Sequence, residues 1–574
     1  MGFYLNRFLL AATIFVFLAL ASSASATQVV VNSQDWKDVY SASLYASLNG
    51  MPAGFVTSNE NALEAWKYWE KTNPVQLFES SANSFYPGYG SFLQAKGFAV
   101  TSESTAGGDA LVFELARRSG VKNFVVTDGT AGYNAISVMP YAVQSRSFVL
   151  FAGKDNALQV RDFLRSVSAQ KVIEYGFLPK AVTDALAEFT PEAINKGDKF
   201  SNNIEIAKKF LALKPGRQVI FTTGEFIEVT ISVGDVPVVL LGMQRPTQQQ
   251  LDFVRTEGIS YATVIGNELL NSAKLLKDQS GNLSVFVKYG KGIPGQKEVM
   301  ELDRFYLPRY DLSLSIQALQ YNLATKQLEV TYKNTGAMSA FAQASIVLTT
   351  GGQRAASASD SAPFTIEAGE VRTRAYSADM SSAYREGQGI DANLTVTFGE
   401  DANAMDRVLL QAFSAIRTTD FADNTNLSIG SLKYDLNKRA FVLELSNAGE
   451  AAYAKAKITY SLNNEKITLI GNATQVSSPA TVEFPQALTA DAAQAAASQK
   501  ALVSVDYGAR QDVLLKNKAE ERQIEIIGGA AGIDWLIVII AVLAVVAAAL
   551  LAYLFVVKKK PHHAEHAHHE KSQP

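Results

Sequence analysis

The stretch Val-Val-Val-Asn-Ser-Gln-Asp-Trp-Lys-Asp-Val-Tyr at residues 29–40 decides the fold, because related stretches return twice in the same chain. Its apolar triplet recurs at residues 124–126 and at 219–221, so the three starts are 95 residues apart. Each triplet precedes a polar turn and then a helix-like stretch, which is shorter in the third copy. A fixed period of this kind is typical of repeat architectures.

Each copy continues in the same order. A second buried strand is predicted at 53–56, 148–151 and 236–241. A helix then opens near residue 61, 156 or 249, and a third strand follows at 75–78, 171–175 and 262–265. Continuous apolar strands that alternate with helices indicate βαβ units with mostly parallel sheets covered on both faces. The sequence therefore predicts a three-repeat α/β region over residues 27–305, with repeats at about 28–106, 107–200 and 201–300, packed as a pseudo-symmetric module.

A second, different repeat begins after residue 305, where apolar and polar residues alternate as in antiparallel strands. Leu-Gln-Tyr-Asn-Leu at 319–323 matches Leu-Lys-Tyr-Asp-Leu at 432–436, and Lys-Asn-Thr-Gly at 333–336 matches Ser-Asn-Ala-Gly at 446–449. Both matches have an offset of 113 residues. We expect two immunoglobulin-like β-sandwich domains, at 306–420 and 421–526.

The two ends of the chain predict export and membrane anchoring. Residues 1–26 have one arginine, an apolar run and small residues before Thr27, which is the pattern of a signal peptide cleaved after Ala26. A neck is predicted at 527–535 and a transmembrane helix at 536–557, where no residue is charged. Three lysines open the tail at 558–574 and place it in the cytoplasm. We therefore expect a single-pass type I membrane protein with its ectodomain on the cell surface.

Composition excludes several kinds of chemistry. The chain has no cysteine, and its five histidines all lie in the tail, at His562, His563, His566, His568 and His569. The predicted exterior therefore has no thiol nucleophile, no Ser-His-Asp triad and no histidine-ligated zinc. A net charge of −3 lacks the positive excess that is typical of nucleic-acid-binding proteins. We expect no cofactor and no catalytic residue, while carboxylate, lysine or tyrosine chemistry and oxygen-ligated calcium stay open.

Polar residues that follow the predicted strands are the candidate ligand-binding residues, because ligands of parallel sheets bind outside the carboxyl ends of the strands. The candidates come from all three copies: Asn32, Asp35, Asp38, Asp128, Asn134, Glu225 and Glu228.

Residues 29–56 resemble the cell wall-binding repeat that occurs in triplets on prokaryotic surface proteins, including surface-layer proteins. The resemblance rests on the valine-rich strand, the Asn, Trp and Asp that follow it, and Gly-Met-Pro at 50–52 before the next strand. It covers residues 28–300 and implies binding of an envelope polymer, often an anionic one. The Asn-x-Gly turns of the second repeat resemble the adhesion-related sandwich domain abbreviated CARDB, which implies a spacer or an adhesive module.

Four Asn-x-Ser/Thr sequences are candidate glycosylation sites if the chain is exported. They begin at Asn282, Asn393, Asn426 and Asn472.

Three functions follow from these patterns. The first is a non-enzymatic envelope protein of a prokaryote, by the resemblance an archaeon, that binds envelope glycopolymer or contributes to a surface layer or to adhesion, and that can self-associate. The second is a carboxylate-dependent envelope hydrolase, which needs only two carboxyl groups. The third is an extracellular solute receptor, which one large cleft with a single set of polar groups would favour over three equivalent grooves.

Overall fold

A computed structural model describes residues 27–292, 299–462, 465–476, 479–528 and 543–553. It divides the chain into two compact units, residues 1–421 and 422–574. The predicted signal peptide, residues 529–535 of the predicted neck and the predicted tail lie outside the described residues.

The predicted membrane segment at 536–557 is described only over residues 543–553, which are helical and exposed. Within the described ranges, no helix is both long and apolar enough to span a membrane.

Three four-stranded sheets form the first part of unit 1, one in each repeat. The strands of the first copy are β1 (Gln28–Asn32), β2 (Ala53–Phe55), β3 (Val75–Ser80) and β4 (Val100–Thr105). Those of the second are β5 (Asn123–Thr127), β6 (Ser147–Phe151), β7 (Lys171–Tyr175) and β8 (Glu192–Ile194). The third copy has β9 (Gln218–Thr222), the short β10 (Phe226–Ile227), β11 (Val238–Leu240), β12 (Tyr261–Ile265) and β13 (Ser284–Lys288).

All three sheets are parallel and share one strand order, β2-β1-β3-β4, β6-β5-β7-β8 and β11-β9-β12-β13. The predicted α/β units with parallel sheets are therefore confirmed. Each copy also has a fourth strand, which the sequence pattern did not predict.

Eleven α-helices accompany these strands in the described part of unit 1. They are α1 (Trp36–Leu48), α2 (Asn59–Ala65), α3 (Tyr89–Ala95), α4 (Gly108–Arg118), α5 (Tyr133–Gln144), α6 (Ala157–Ser166), α7 (Lys180–Leu186), α8 (Lys199–Leu213), α9 (Val229–Ser232), α10 (Gln248–Thr256) and α11 (Leu270–Ser280).

The first helix of each copy lies at the centre, where α1, α5 and α9 contact one another. The hydroxyl of Tyr40 on α1 donates to the carbonyl of Ala135 on α5 at 2.8 Å. Two linking helices join neighbouring copies: α4 packs on α1 and on β6, and α8 packs on α5 and on β11. One continuous apolar core therefore extends through all three copies.

The rest of unit 1 is β-rich, as predicted. It contains β14 (Gly290–Gly292), β15 (Val299–Glu301), β16 (Phe305–Tyr306), β17 (Leu314–Asn322), β18 (Gln327–Asn334), β19 (Ala340–Thr350), β20 (Gln353–Ser359), β21 (Phe364–Ile366), β22 (Val371–Ser377), β23 (Ile390–Gly399), β24 (Arg407–Phe413) and β25 (Arg417–Thr419). From β17 onwards, one sheet has the order β22-β18-β17-β25 and another the order β20-β19-β23-β24. Side chains of both sheets enclose one apolar core.

Unit 2 repeats this strand plan with one difference. Its elements are β26 (Leu427–Asp435), β27 (Ala440–Asn447), β28 (Ala452–Leu462), β29 (Glu465–Ile470), β30 (Thr474–Val476), β31 (Ala480–Pro485), α12 (Ala490–Ala497), β32 (Lys500–Gly508) and β33 (Lys516–Ile527). In unit 1 the last strand is interrupted around Ala415, whose φ of 49° is left-handed, so β24 and β25 join different sheets. In unit 2 the uninterrupted β33 pairs antiparallel with β32 and then parallel with β26.

Candidate ligand-binding cleft

In the first copy, the candidate residues are engaged by their own surroundings. Asp38 is fully buried, and its carboxylate accepts from the Ser33 hydroxyl and from the Gly108 N–H at the start of α4, both at 2.7 Å. Burial raises the pKa of Asp38 to about 6, against the opposing effect of the Ser33 hydrogen bond. Asn32 is also fully buried and accepts from the N–H groups of residues 85 and 86, while Asp35 caps α1. All three are therefore engaged by contacts within the first copy.

In the third copy, both candidate carboxylates are held by ion pairs and hydrogen bonds. Glu228 accepts from the Thr230 N–H at 2.8 Å and from the Lys288 ammonium at 2.7 Å. Glu225 accepts from the Tyr133 hydroxyl at 3.2 Å and lies 3.3 Å from the Arg309 guanidinium. Neither carboxylate lines the cleft described below.

The second copy has an open cleft of about 410 Å³ at the carboxyl ends of its strands. One wall comes from the second copy itself and contains Asp128, Thr130, Asn134, Phe177, Asn195, Asp198, Lys199 and Asn202. The opposite wall comes from the segment before β17 and from loops of the β-rich region, and contains Tyr310, Met338, Glu400 and Asp401. Its volume is that of a small-molecule site.

The acceptor at the start of the linking helix differs between the first and second copies. In the second copy, α8 is capped by its own Asp198, which accepts from the N–H groups of Phe200 and Ser201, both at 2.9 Å. Asn134, which the sequence aligns with Asp38, is therefore not needed by that helix. Asn134 is only 6% exposed, yet its amide makes no hydrogen bond to the residues that the structure describes.

The Asn134 amide packs against Gly176, which follows β7 with a left-handed φ of 80°. A Cβ atom at this position would lie 2.7 Å from Asn134 Nδ2. Glycine therefore provides both the backbone conformation and the space that the amide requires.

Lys199 joins the two walls of the cleft. Its side chain is 2% exposed, and its ammonium donates to Asp406 Oδ2 at 2.7 Å. The same ammonium lies 4.3 Å from the centroid of the Tyr133 ring. Burial lowers the pKa of Lys199, but Asp406 and Glu400 outweigh burial and raise that pKa above its ordinary value. The lysine therefore stays charged, and its charge is neutralised within the protein.

Glu400 is a partly buried carboxyl on the opposite wall. It accepts from the Lys199 backbone N–H at 3.3 Å. Burial raises its pKa from 4.5 to about 7, although the nearby Lys199 charge lowers it. Glu400 therefore changes its charge near neutral pH.

This titration predicts how stability depends on pH. A carboxyl whose pKa is higher in the folded state stabilises the fold below its unfolded pKa, and this stabilisation is lost as the pH rises through the folded value. We expect the free energy of unfolding, measured by urea denaturation, to fall between roughly pH 4.5 and pH 7, with Glu400 contributing on the order of 2 kcal/mol. Glu400→Gln should remove the contribution of Glu400 to this fall in the free energy of unfolding, and the smaller contribution of Asp38 should remain.

Glu386→Gln is the matched control, because Glu386 is an exposed carboxylate of the same β-rich region. It should keep the wild-type slope. If Glu400→Gln also kept the wild-type dependence of the free energy of unfolding on pH, the pKa of Glu400 would not be raised in the folded protein.

Two of the candidate ligand residues, Asp128 and Asn134, thus lie on one cleft, and the other five do not. Sequence reasoning missed Asn195, Asp198, Lys199 and Asn202, although Asn-Lys-Gly-Asp at 195–198 is a turn before a capped helix and carries a readable signal. It also missed Tyr310 and Glu400, for which no local pattern exists.

No protein-family model matches the chain, and no curated protein does either. Among solved structures, Cwp6 from Clostridium difficile is 14% identical, with a TM-score of 0.33, and the match covers 46% of this chain and 42% of Cwp6. A red sea bream transglutaminase is 13% identical, with a TM-score of 0.15, over 38% of this chain and 31% of that one. The CsuC–CsuE chaperone and tip adhesion subunit complex from Acinetobacter baumannii is 14% identical, with a TM-score of 0.14, over 38% of this chain and 99% of that one. TM-scores as low as these carry no argument about fold or function, so the cell wall-binding and CARDB resemblances stay predictions.

Proposed function

We propose that the chain is a non-enzymatic protein of the cell surface that binds its ligand in the cleft of the second α/β copy. The observation that carries this proposal is the Asn134 amide, which is buried at the cleft wall without a hydrogen-bond partner among the described residues. The Asn134 amide is not among the fully buried side-chain atoms that lack a partner in the described residues, so water in the cleft can bond to it. A ligand that reproduces those bonds would displace this water.

The three copies are chemically unequal, and this supports a single ligand site. In the first copy Asp38 is engaged by hydrogen bonds, and in the third copy Glu228 is engaged by its ion pair with Lys288. One cleft with one set of polar groups suits a defined ligand unit, either within an envelope polymer or free in solution.

The four sequon asparagines are accessible to a glycosylating enzyme if the chain is exported. Asn282, Asn393, Asn426 and Asn472 are all exposed.

Asn134→Ala tests the proposal in the purified full-length protein. We expect it to weaken binding about tenfold, since the ligand loses one or two hydrogen bonds. One arm measures retention on an envelope preparation from the source cells, and the other measures binding of their low-mass glycan extract. Retention on the envelope preparation would identify the ligand as part of a polymer, and binding of the low-mass extract would identify it as a solute.

Asn49→Ala is the control, because Asn49 is an exposed amide of the first copy, outside the cleft. It should bind like the wild type in both arms. Wild-type binding by Asn134→Ala in both arms would refute the cleft as the ligand site.

One observation favours a second candidate function, the carboxylate-dependent hydrolase. Asp128, Asp198, Glu400 and Asp401 line the same cleft, and the pKa of Glu400 is raised to about 7, which suits a general acid. New reducing ends released from the envelope preparation by the wild type, and not by Glu400→Gln, would favour this candidate.

A further inference from the structure

The charge of the cleft is acidic. Asp128, Asp198, Glu400 and Asp401 all line it. Among the described residues that line it, Lys199 supplies the one cationic side chain, and its ammonium is paired with Asp406 at 2.7 Å. An acidic ligand would therefore meet four carboxyl groups, of which Glu400 is only partly ionised near pH 7, and no free positive charge.

The hydrogen-bonding groups of the cleft suit hydroxyl groups. The Asn134 amide, which offers two donors and an acceptor carbonyl, has no partner among the described residues. The Asn202 carbonyl already accepts from the Lys196 N–H, while its amide nitrogen donates in no hydrogen bond to the described residues. A hydroxyl group can both donate to and accept from such amides, so it satisfies them without bringing charge.

Aromatic rings complete the cleft. Phe177 lines it and is 73% exposed, and the Tyr310 ring forms part of the opposite wall. An exposed Phe that projects from a polar rim offers a flat apolar surface to a ring with its own apolar faces.

We propose that the cleft binds a hydroxyl-rich saccharide unit that carries no acidic group. This inference rests on the proposed function and deepens it. The buried Asn134 amide and the two aromatic rings attract the saccharide. The carboxyl groups discriminate against anionic ligands, because an anionic ligand would be repelled by like charges and would lose hydration without gaining a counter-ion. The expected ligand thus differs from the often anionic polymer that the sequence resemblance implies.

The test compares two pools of envelope glycans from the source cells, separated by anion exchange into an unretained neutral pool and a retained anionic pool. Binding of each pool to the purified full-length protein is measured at low and at high salt. We expect the neutral pool to bind at least tenfold more tightly, with little dependence on salt, and Asn134→Ala to lose at least tenfold of that affinity. Asp128→Asn should reduce the difference in affinity between the neutral and the anionic pool. Asp155→Asn, an exposed control outside the cleft, should leave that difference unchanged.

The outcomes separate the two proposals. Tighter binding of the anionic pool that still depends on Asn134 would overturn the charge inference and leave the cleft as the ligand site. Binding that is equal in the wild type and in Asn134→Ala would overturn the cleft itself, and with it the proposed function. Failure of both pools to bind would overturn the saccharide inference.

Discussion

Lys199→Met is expected to lower the free energy of unfolding of unit 1 by about 3–5 kcal/mol, because it removes one partner of a buried ion pair. Asp406, whose side chain is only 14% exposed, would lose the ammonium that lies 2.7 Å away. The Tyr133 ring would also lose the cation over its face. Urea denaturation gives the free energy, and hydrogen exchange shows whether the loss lies in the first unit.

Two variants make this prediction specific. Lys214→Met removes an ion pair of similar length, 2.8 Å to Asp235, but its partners are 42% and 66% exposed. It should cost no more than about 1 kcal/mol. Adding Asp406→Leu to Lys199→Met should restore part of the lost stability, since the unpaired charge is then gone. If Lys199→Met and Lys214→Met lowered the free energy of unfolding equally, the buried ion pair would contribute no more to stability than the exposed one.

Gly336→Ala is expected to lower the free energy of unfolding of unit 1 by about 3 kcal/mol, the upper range for overpacking. The Cβ atom would lie 2.3 Å from the Asp311 carbonyl oxygen and 2.8 Å from the Ser313 nitrogen. Both are backbone atoms, so no side-chain rotation relieves the clash. The Asn334 side chain holds this turn by accepting from the Gly336 N–H at 3.0 Å.

Gly449→Ala tests the same turn in unit 2, where the Cβ atom would lie 2.6 Å from the Asn424 carbonyl oxygen and from the Asn426 nitrogen. Gly389→Ala is the control within unit 1, since its nearest contact would be an ordinary 3.8 Å to the Ala415 Cβ. It should change stability by less than about 1 kcal/mol. A loss in Gly389→Ala as large as that in Gly336→Ala would contradict the steric explanation of the turn.

The sequence predicted the α/β copies because their central strands are continuous apolar runs. It missed the fourth strand of each sheet for a physical reason. β4 is the polar Val-Thr-Ser-Glu-Ser-Thr and β8 has only three residues, so neither shows an apolar strand pattern. β13 is the apolar Ser-Val-Phe-Val-Lys, which the three-strand repeat pattern did not include.

The candidate site was predicted only in part. Asp128 and Asn134 were found because they follow a strand of their own copy. Tyr310 and Glu400 come from the segment before β17 and from the end of β23, far along the chain. The repeat period predicts only the features that the three copies share. The cleft depends on features in which they differ: Asp38 accepts from the start of α4 in the first copy, whereas α8 in the second is capped by its own Asp198.

The unbroken strand β33 has a mechanical consequence for unit 2. Residues 432–435 of β26, near the start of the unit, pair in parallel with residues 524–527 at the end of β33. Tension applied between residues 422 and 528 would pull these parallel strands past each other along their length. Their hydrogen bonds would then bear the load together instead of opening one after another, so this unit is built to resist stretching between its ends.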